Sequence, residues 1–143
     1  YAIDFEMPKG TDVCAARDGV VNDMKDGFGD GAPQEKYLKQ ANYVVLAHSD
    51  GSFAEYYHLD KDTVKVKTGD RVKSGECFAK SGQSGFAARP HLHFMVFVRA
   101  SNGDKKSIAT VFNTVEDQSI ILHKGKSYTK ASRHFFEAPP TQK

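Results

Sequence analysis

The densest chemistry in the sequence is His91-Leu92-His93, which opens the apolar run His91 to Val98. In a strand, residues i and i+2 leave the same face, so the two imidazoles stand together while Leu92 turns to the opposite, apolar side. Pro90 suits the first position of such a strand, where no ladder hydrogen bond is lost. Neutral imidazoles at this spacing suit a borderline cation such as Zn2+, or one ligand beside one acid–base group. Two exposed strand histidines without a role are the plainer alternative. Tyr56-Tyr57-His58-Leu59 offers a third imidazole at the end of a second apolar segment. Asp4 interrupts Ala2-Ile3-Asp4-Phe5-Glu6-Met7. Aspartate is depleted in strands, and a carboxylate buried there needs a partner or a metal; on an exposed face it needs neither.

The elements that must position these side chains read as mostly β. Short runs at Ala2–Phe5, Val13–Ala16, Val20–Val21, Tyr43–Ala47, Phe53–Leu59, Val64–Val66, Cys77–Ala79 and His91–Val98 alternate with Gly, Pro and Asp turns. Many short strands at close spacing predict an all-β sandwich or barrel. Residues 22–41, with Gly27, Gly29, Gly31 and Pro33 among acidic residues, read as an inserted surface loop, with a helical turn near Lys36 to Gln40. Residues 138–143, with Pro139-Pro140, read as a tail, and nothing from Ser107 onward carries an interpretable motif; His123 and His134 are expected at the surface.

A chain of 143 residues supports one core, so a single domain over 1–143 is expected. Twenty Lys and Arg against 18 Asp and Glu leave a net charge of +2, which argues against a nucleic-acid partner. No apolar stretch reaches the roughly 20 residues of a spanning helix. The chain opens on Tyr1 without a signal-peptide pattern and is expected to be a piece of a longer protein. Cys14 and Cys77 are the whole thiol inventory. They read either as two small buried hydrophobes or as one disulfide, and spacing does not decide between them.

Together the ordered segments resemble the M23 family of lysostaphin/LytM-type zinc metallopeptidases. The segments are Ala2-Ile3-Asp4-Phe5 with Pro8-Lys9-Gly10-Thr11; Ala16-Arg17-Asp18-Gly19-Val20-Val21; Asn42-Tyr43-Val44-Val45-Leu46; Tyr56-Tyr57-His58-Leu59; Gly69-Asp70-Arg71-Val72; Ser81-Gly82 with Ser84-Gly85; and Pro90-His91-Leu92-His93-Phe94. The resemblance implies an antiparallel β-sandwich or barrel-sandwich hybrid. It implies Zn2+ as cofactor, held by Asp4 and His93, with a further His ligand four residues before Asp4, just ahead of Tyr1. His58 and His91 match the catalytic histidines, and His48 matches a histidine without a metal role. Arg89 stands where the family often has Gly, and Arg89 and Tyr57 are the expected substrate contacts.

The implied reaction is hydrolysis of peptide cross-links in peptidoglycan by metal-activated water. The bond is either D-alanyl to a diamino acid or glycyl-glycine. The form of Tyr1 to Phe5 and the insertion before Asn42 resemble Gram-negative members and favour the D,D bond. The implied location is periplasmic, secreted or at the cell surface, with an upstream domain or membrane anchor. A disulfide between Cys14 and Cys77 would agree with that location. The competing reading is a catalytically inactive LytM-like domain that binds cell wall or activates a partner amidase. A structural β-domain with incidental histidines is a third.

Overall fold

Alternation of apolar and polar residues decides which strands form and which face each buries. The computed structural model describes residues 1–114 and 119–128, and the chain divides into two compact units, Tyr1–Ile108 and Ala109–Lys143. The first unit holds β1 (Ala2–Glu6), β2 (Asp12–Cys14), β3 (Gly19–Lys25), β4 (Tyr43–Ala47), β5 (Phe53–Tyr57), β6 (Arg71–Val72), β7 (Cys77–Lys80), β8 (His91–Arg99) and β9 (Lys105–Ser107). A seven-stranded sheet runs in the order β1-β8-β5-β4-β3-β6, with β9 also on β8; β2 and β7 form a second, two-stranded sheet. Every strand pair is antiparallel. The all-β antiparallel architecture expected from the sequence is therefore present.

The large sheet buries Val44, Leu46, Ala54, Tyr56, Leu92 and Phe94, which alternate with the site-facing positions along β4, β5 and β8. The small sheet brings Phe78 against that face. Tyr56 meets the rings of Phe78 and Phe94 edge-on, each at 5.1 Å. Its hydroxyl accepts the Ala16 N–H at 2.9 Å, which satisfies the one polar atom that the ring carries into the core. Each large side chain so buried contributes roughly 2–3 kcal/mol.

Three elements differ from the sequence expectation. Asn22 to Lys25 continue β3 rather than opening the loop, through a bulge between Val21 and Asp23. The bulge breaks the alternation that would have marked a strand. Val64–Val66 forms no strand, although Lys65 N–H still bonds the Phe78 carbonyl. The helical turn is a short 3-10 segment at Glu35–Tyr37.

Cys14 and Cys77 face each other across β2 and β7 and are joined as a disulfide. Cys77 is exposed and Cys14 half-buried, so neither behaves as a small core hydrophobe. The bridge closes a 63-residue separation, for which chain entropy gives about 4 kcal/mol. Reduction, or a paired Cys14→Ser and Cys77→Ser change, is expected to lower urea stability by an amount near this. An unchanged unfolding midpoint would show that the bridge does not constrain the unfolded chain.

In the second unit, Phe112 bridges Ile120, and Val111 and Ile121 are exposed. His123 is exposed; His134 and the expected tail lie outside the described residues. Among the described residues no helix is long and apolar enough to cross a membrane.

Candidate active site

Strand register brings the site residues together. Asp4 on β1 stands opposite His93 on β8, and His93 stands opposite Tyr57 on β5. Directly paired residues project from the same face, so carboxylate, imidazole and phenol form one cross-strand row. Asp4 Oδ1 lies 2.9 Å from His93 Nδ1. His91, two residues before His93, leaves the same face, and its Nε2 is 3.9 Å from the same Asp4 oxygen. The expected pairing of His91 with His93 across Leu92 is what the strand shows, with Leu92 buried on the opposite side.

His58 reaches the cluster differently. The expected strand to Leu59 stops at Tyr57, because His58 adopts a left-handed backbone with φ 66°. A non-glycine residue pays for that conformation, and such cost persists only where the surroundings fix it. Here the His58 carbonyl accepts the Gly82 N–H at 2.9 Å, and its Nδ1 sits 2.7 Å from the Ser84 carbonyl. A carbonyl can only accept, so Nδ1 carries the proton and Nε2 keeps the lone pair. His91 repeats the arrangement: Nδ1 donates to the Arg89 carbonyl at 2.9 Å. The His58 ring lies 4.5 Å from His91 and 6.0 Å from His93 between centroids. Burial pushes the His58 pKa down, against the hydrogen bond to Ser84, and the neighbouring imidazoles push it the same way.

The turn that carries His58 is held from beneath by Asn42, which is fully buried. Its side chain accepts the Phe28 N–H and donates to the carbonyls of Phe28 and Leu59, and its own N–H donates to Ser84 Oγ. One amide therefore ties the residues 22–41, the His58 turn and the Ser81–Arg89 loop. The same loops are clipped by Gly31 N–H on the Gln83 carbonyl at 2.8 Å. They approach so closely that a Cβ on Gly31 would overlap the Gly85 carbonyl. Asn42→Ala leaves buried peptide groups without partners. It is expected to cost roughly 3 kcal/mol in urea unfolding and to move His58, seen as a changed imidazole NMR shift.

Tyr57 is half-buried, stacked on Tyr43 with centroids 4.8 Å apart, and meets His58 and His93 edge-on at 6.4 and 6.3 Å. Burial pushes its hydroxyl up to about 12, so it stays protonated. Arg89 is exposed and pairs loosely with Glu6 across the His91 end of the row, at 3.4 Å. His48 lies apart from the cluster, buried, with Nδ1 2.7 Å from the Asp18 carbonyl.

Sequence reasoning missed Asn42 and Ser84 as supports, the Tyr43–Asp23 hydrogen bond, and Glu55. Glu55 is buried on the site face and paired with Lys105 at 2.6 Å. The available signal was a polar residue placed against or inside an apolar run, as with Asn42 before Tyr43–Ala47 and Glu55 within Phe53–Tyr57.

Asp4 Oδ1 and His93 Nδ1 present two convergent oxygen and nitrogen donors, the donor types that suit zinc. Among the described residues no group of three or more His, Cys, Asp or Glu is arranged to hold a metal ion. The pair thus fits part of a zinc ligand set, with two protein donors of the usual three.

Residues 1–108 match the family model described as Peptidase family M23. The chain is 40% identical over 96 residues to the glycyl-glycine endopeptidase ALE-1 of Staphylococcus capitis, covering 66% of this chain and 23% of that protein. It is 36% identical over 108 residues to the peptidoglycan DD-endopeptidase ShyC of Vibrio cholerae, covering 76% and 22%. Among solved structures, a zinc-containing peptidase from Vibrio cholerae superposes with a TM-score of 0.54 at 32% identity, over 73% of this chain and 28% of that one. The chain spans about a quarter of the length of these curated relatives.

Proposed function

Because the chain belongs to peptidase family M23, we propose that it is the catalytic part of a zinc-dependent endopeptidase that cuts peptide cross-links of peptidoglycan. The observation that carries this is the single cluster of Asp4, His93, His91 and His58, with the first two converging at 2.9 Å and the last two each holding a free Nε2. A solved relative is named as containing zinc, and curated relatives are named for cutting peptidoglycan or glycyl-glycine bonds.

Asp4 and His93 would hold the metal, with a further imidazole ahead of Tyr1 at the H-x-x-x-D spacing. Zinc, when bound, polarises the scissile carbonyl and brings the acidity of water towards pH ~7. His58 is kept neutral by burial and accepts a proton at Nε2, then returns it to the leaving amine. His91 is held in one tautomer by the Arg89 carbonyl, so its Nε2 stays directed at the reacting group. Tyr57 forms the wall beside His58 and His93, and Arg89 with Glu6 supplies charge at the entrance. The D-alanyl to diamino acid bond is the proposed target, and the substrate places the enzyme in the periplasm or at the cell surface.

Purified peptidoglycan incubated with the full-length protein should release muropeptides with new D-alanyl carboxylates. Chelation should stop the release and zinc should restore it. A full-length protein that takes up no zinc and releases nothing would shift the reading to an inactive LytM-like domain that binds cell wall or activates an amidase.

A further inference from the structure

The loop that fixes His58 is itself anchored to the small sheet. β7 ends at Lys80, and Ser81, fully buried, follows it directly. Ser81 is bound to the segment ahead of β2 at every polar atom. Its N–H donates to the Thr11 carbonyl at 2.8 Å, and its carbonyl accepts the Gly10 N–H at 2.7 Å. Its hydroxyl accepts the Thr11 N–H at 3.1 Å and donates to the Pro8 carbonyl at 2.8 Å. The residues that follow hold the histidine, Gly82 through the His58 carbonyl and Ser84 through Nδ1. A two-stranded sheet is marginal by itself, and an irregularity at Val13 and Cys14 interrupts the ladder of this one. The Cys14–Cys77 bridge closes the sheet at that irregularity, roughly 13 Å of strand from Ser81. At the other end of the ladder Lys80 Nζ pairs with Asp12 Oδ1 at 2.7 Å, so strand pairing there does not depend on the bridge. Cys77 is exposed.

A covalent tie that thiols can reach, on the strand pair that leads into the His58 loop, is a redox-sensitive support. We infer that the Cys14–Cys77 disulfide is a redox switch that controls the position of His58. The reductant is a dithiol. Its thiolate attacks the Cys77 sulfur, which breaks the S–S bond, releases Cys14 as a thiolate and leaves a mixed disulfide on Cys77. The second thiol of the reductant then displaces Cys77. The dithiol gives up two electrons and becomes a disulfide, and its two protons end on Cys14 and Cys77. With β2 and β7 unlinked at the irregularity, the strand that carries Ser81 is free to shift, and Gly82 and Ser84 shift with it. His58 keeps its left-handed backbone only because these residues fix it, so it moves first. Asp4 and His93 are paired on β1 and β8 of the large sheet and stay in place. The bridged form is the working one, and it persists in an oxidising compartment. The inference rests on the role given to His58 above and adds its control.

The test compares the oxidised full-length protein with the same protein reduced by a phosphine and with the paired Cys14→Ser and Cys77→Ser variant. Each is zinc-loaded and held where circular dichroism shows it folded. The readouts are zinc content, kcat and KM on a cross-linked peptide, and the His58 imidazole NMR signals. Reduction should lower kcat about ten- to a hundredfold, leave KM and zinc nearly unchanged and shift the His58 signals. Reoxidation should reverse this in wild type, and the paired serine variant should not respond to either reagent. Ser81→Ala should shift the His58 signals with the bridge intact. Val72→Ala, which thins the core at the far edge strand β6, should not. Unmoved His58 signals on reduction or in Ser81→Ala, zinc lost together with activity, or complete unfolding on reduction overturns the switch. Cleavage that ignores reduction overturns it and leaves the peptidase reading standing. No cleavage in either redox state, with His58 signals that follow the bridge, overturns the peptidase reading and leaves the link from bridge to His58 standing.

Discussion

Asp4→Ala and His93→Ala are each expected to remove bound zinc and to lower peptidoglycan hydrolysis at least roughly a thousandfold. The size follows from what the metal supplies: without it the attacking water returns from a pKa near ~7 to that of bulk water, and nothing polarises the carbonyl. The two donors are not redundant. Asp4 offers charge that offsets part of the cation's own, and His93 offers a nitrogen fixed on the long strand β8. Asp4→Asn keeps the shape and an acceptor but loses the charge, so it should retain zinc more weakly than wild type and stay poorly active. The loss should not come from unfolding. The Asp4 side chain is 64% exposed, and its carboxylate faces the two site histidines. Its removal should move the urea midpoint by no more than about 0.5–1 kcal/mol equivalent. Zinc content by elemental analysis, read beside the unfolding curve, checks both halves. A folded Asp4→Ala protein with full zinc and full activity would remove Asp4 from the site.

How much of this was legible depended on whether the relevant contact was local. The common face of His91 and His93 follows from a period of two and needed nothing else. The all-β architecture follows from short runs broken by turn residues. The contact of Asp4 with His93 spans 89 residues, and no spacing rule reaches that far; the family resemblance brought the two together. His58 shows a different limit. Its strand was expected to run on to Leu59, because Tyr-Tyr-His-Leu carries no glycine or asparagine to announce a positive φ. The left-handed turn exists because Ser84, Gly82 and Asn42 hold it, and these are tertiary supports. β3 was cut short for the opposite reason. Asn22 and Asp23 look like loop residues, yet they occupy an exposed face beyond a bulge. The disulfide between Cys14 and Cys77 likewise needed the pairing of β2 with β7, which sequence separation does not reveal.

The second large effect concerns His58, and it should separate proton transfer from metal binding. Alanine is a poor probe at this position, since it has no short polar side chain to support a φ of 66° by a local hydrogen bond. Asparagine tolerates the left-handed region, so His58→Asn should fold, keep close to wild-type zinc content and lose roughly 10²–10⁴ in kcat, the usual contribution of a positioned acid–base group. The pH profile gives an independent sign. Burial lowers the His58 pKa below the ordinary histidine value, and the base is active when neutral. As pH falls, wild-type activity carried by this group should therefore persist through ~6.5 and fail only below it. That acid limb should be absent or moved in His58→Asn. The Ser84 carbonyl holds the proton on Nδ1 and leaves Nε2 to do the chemistry, so a base at this position follows from the tautomer as well as from burial. Zinc lost together with activity in His58→Asn would make His58 a ligand instead. Unchanged kcat in a zinc-replete His58→Asn protein would pass the role of base to His91, whose Nε2 is the other free imidazole nitrogen facing the row.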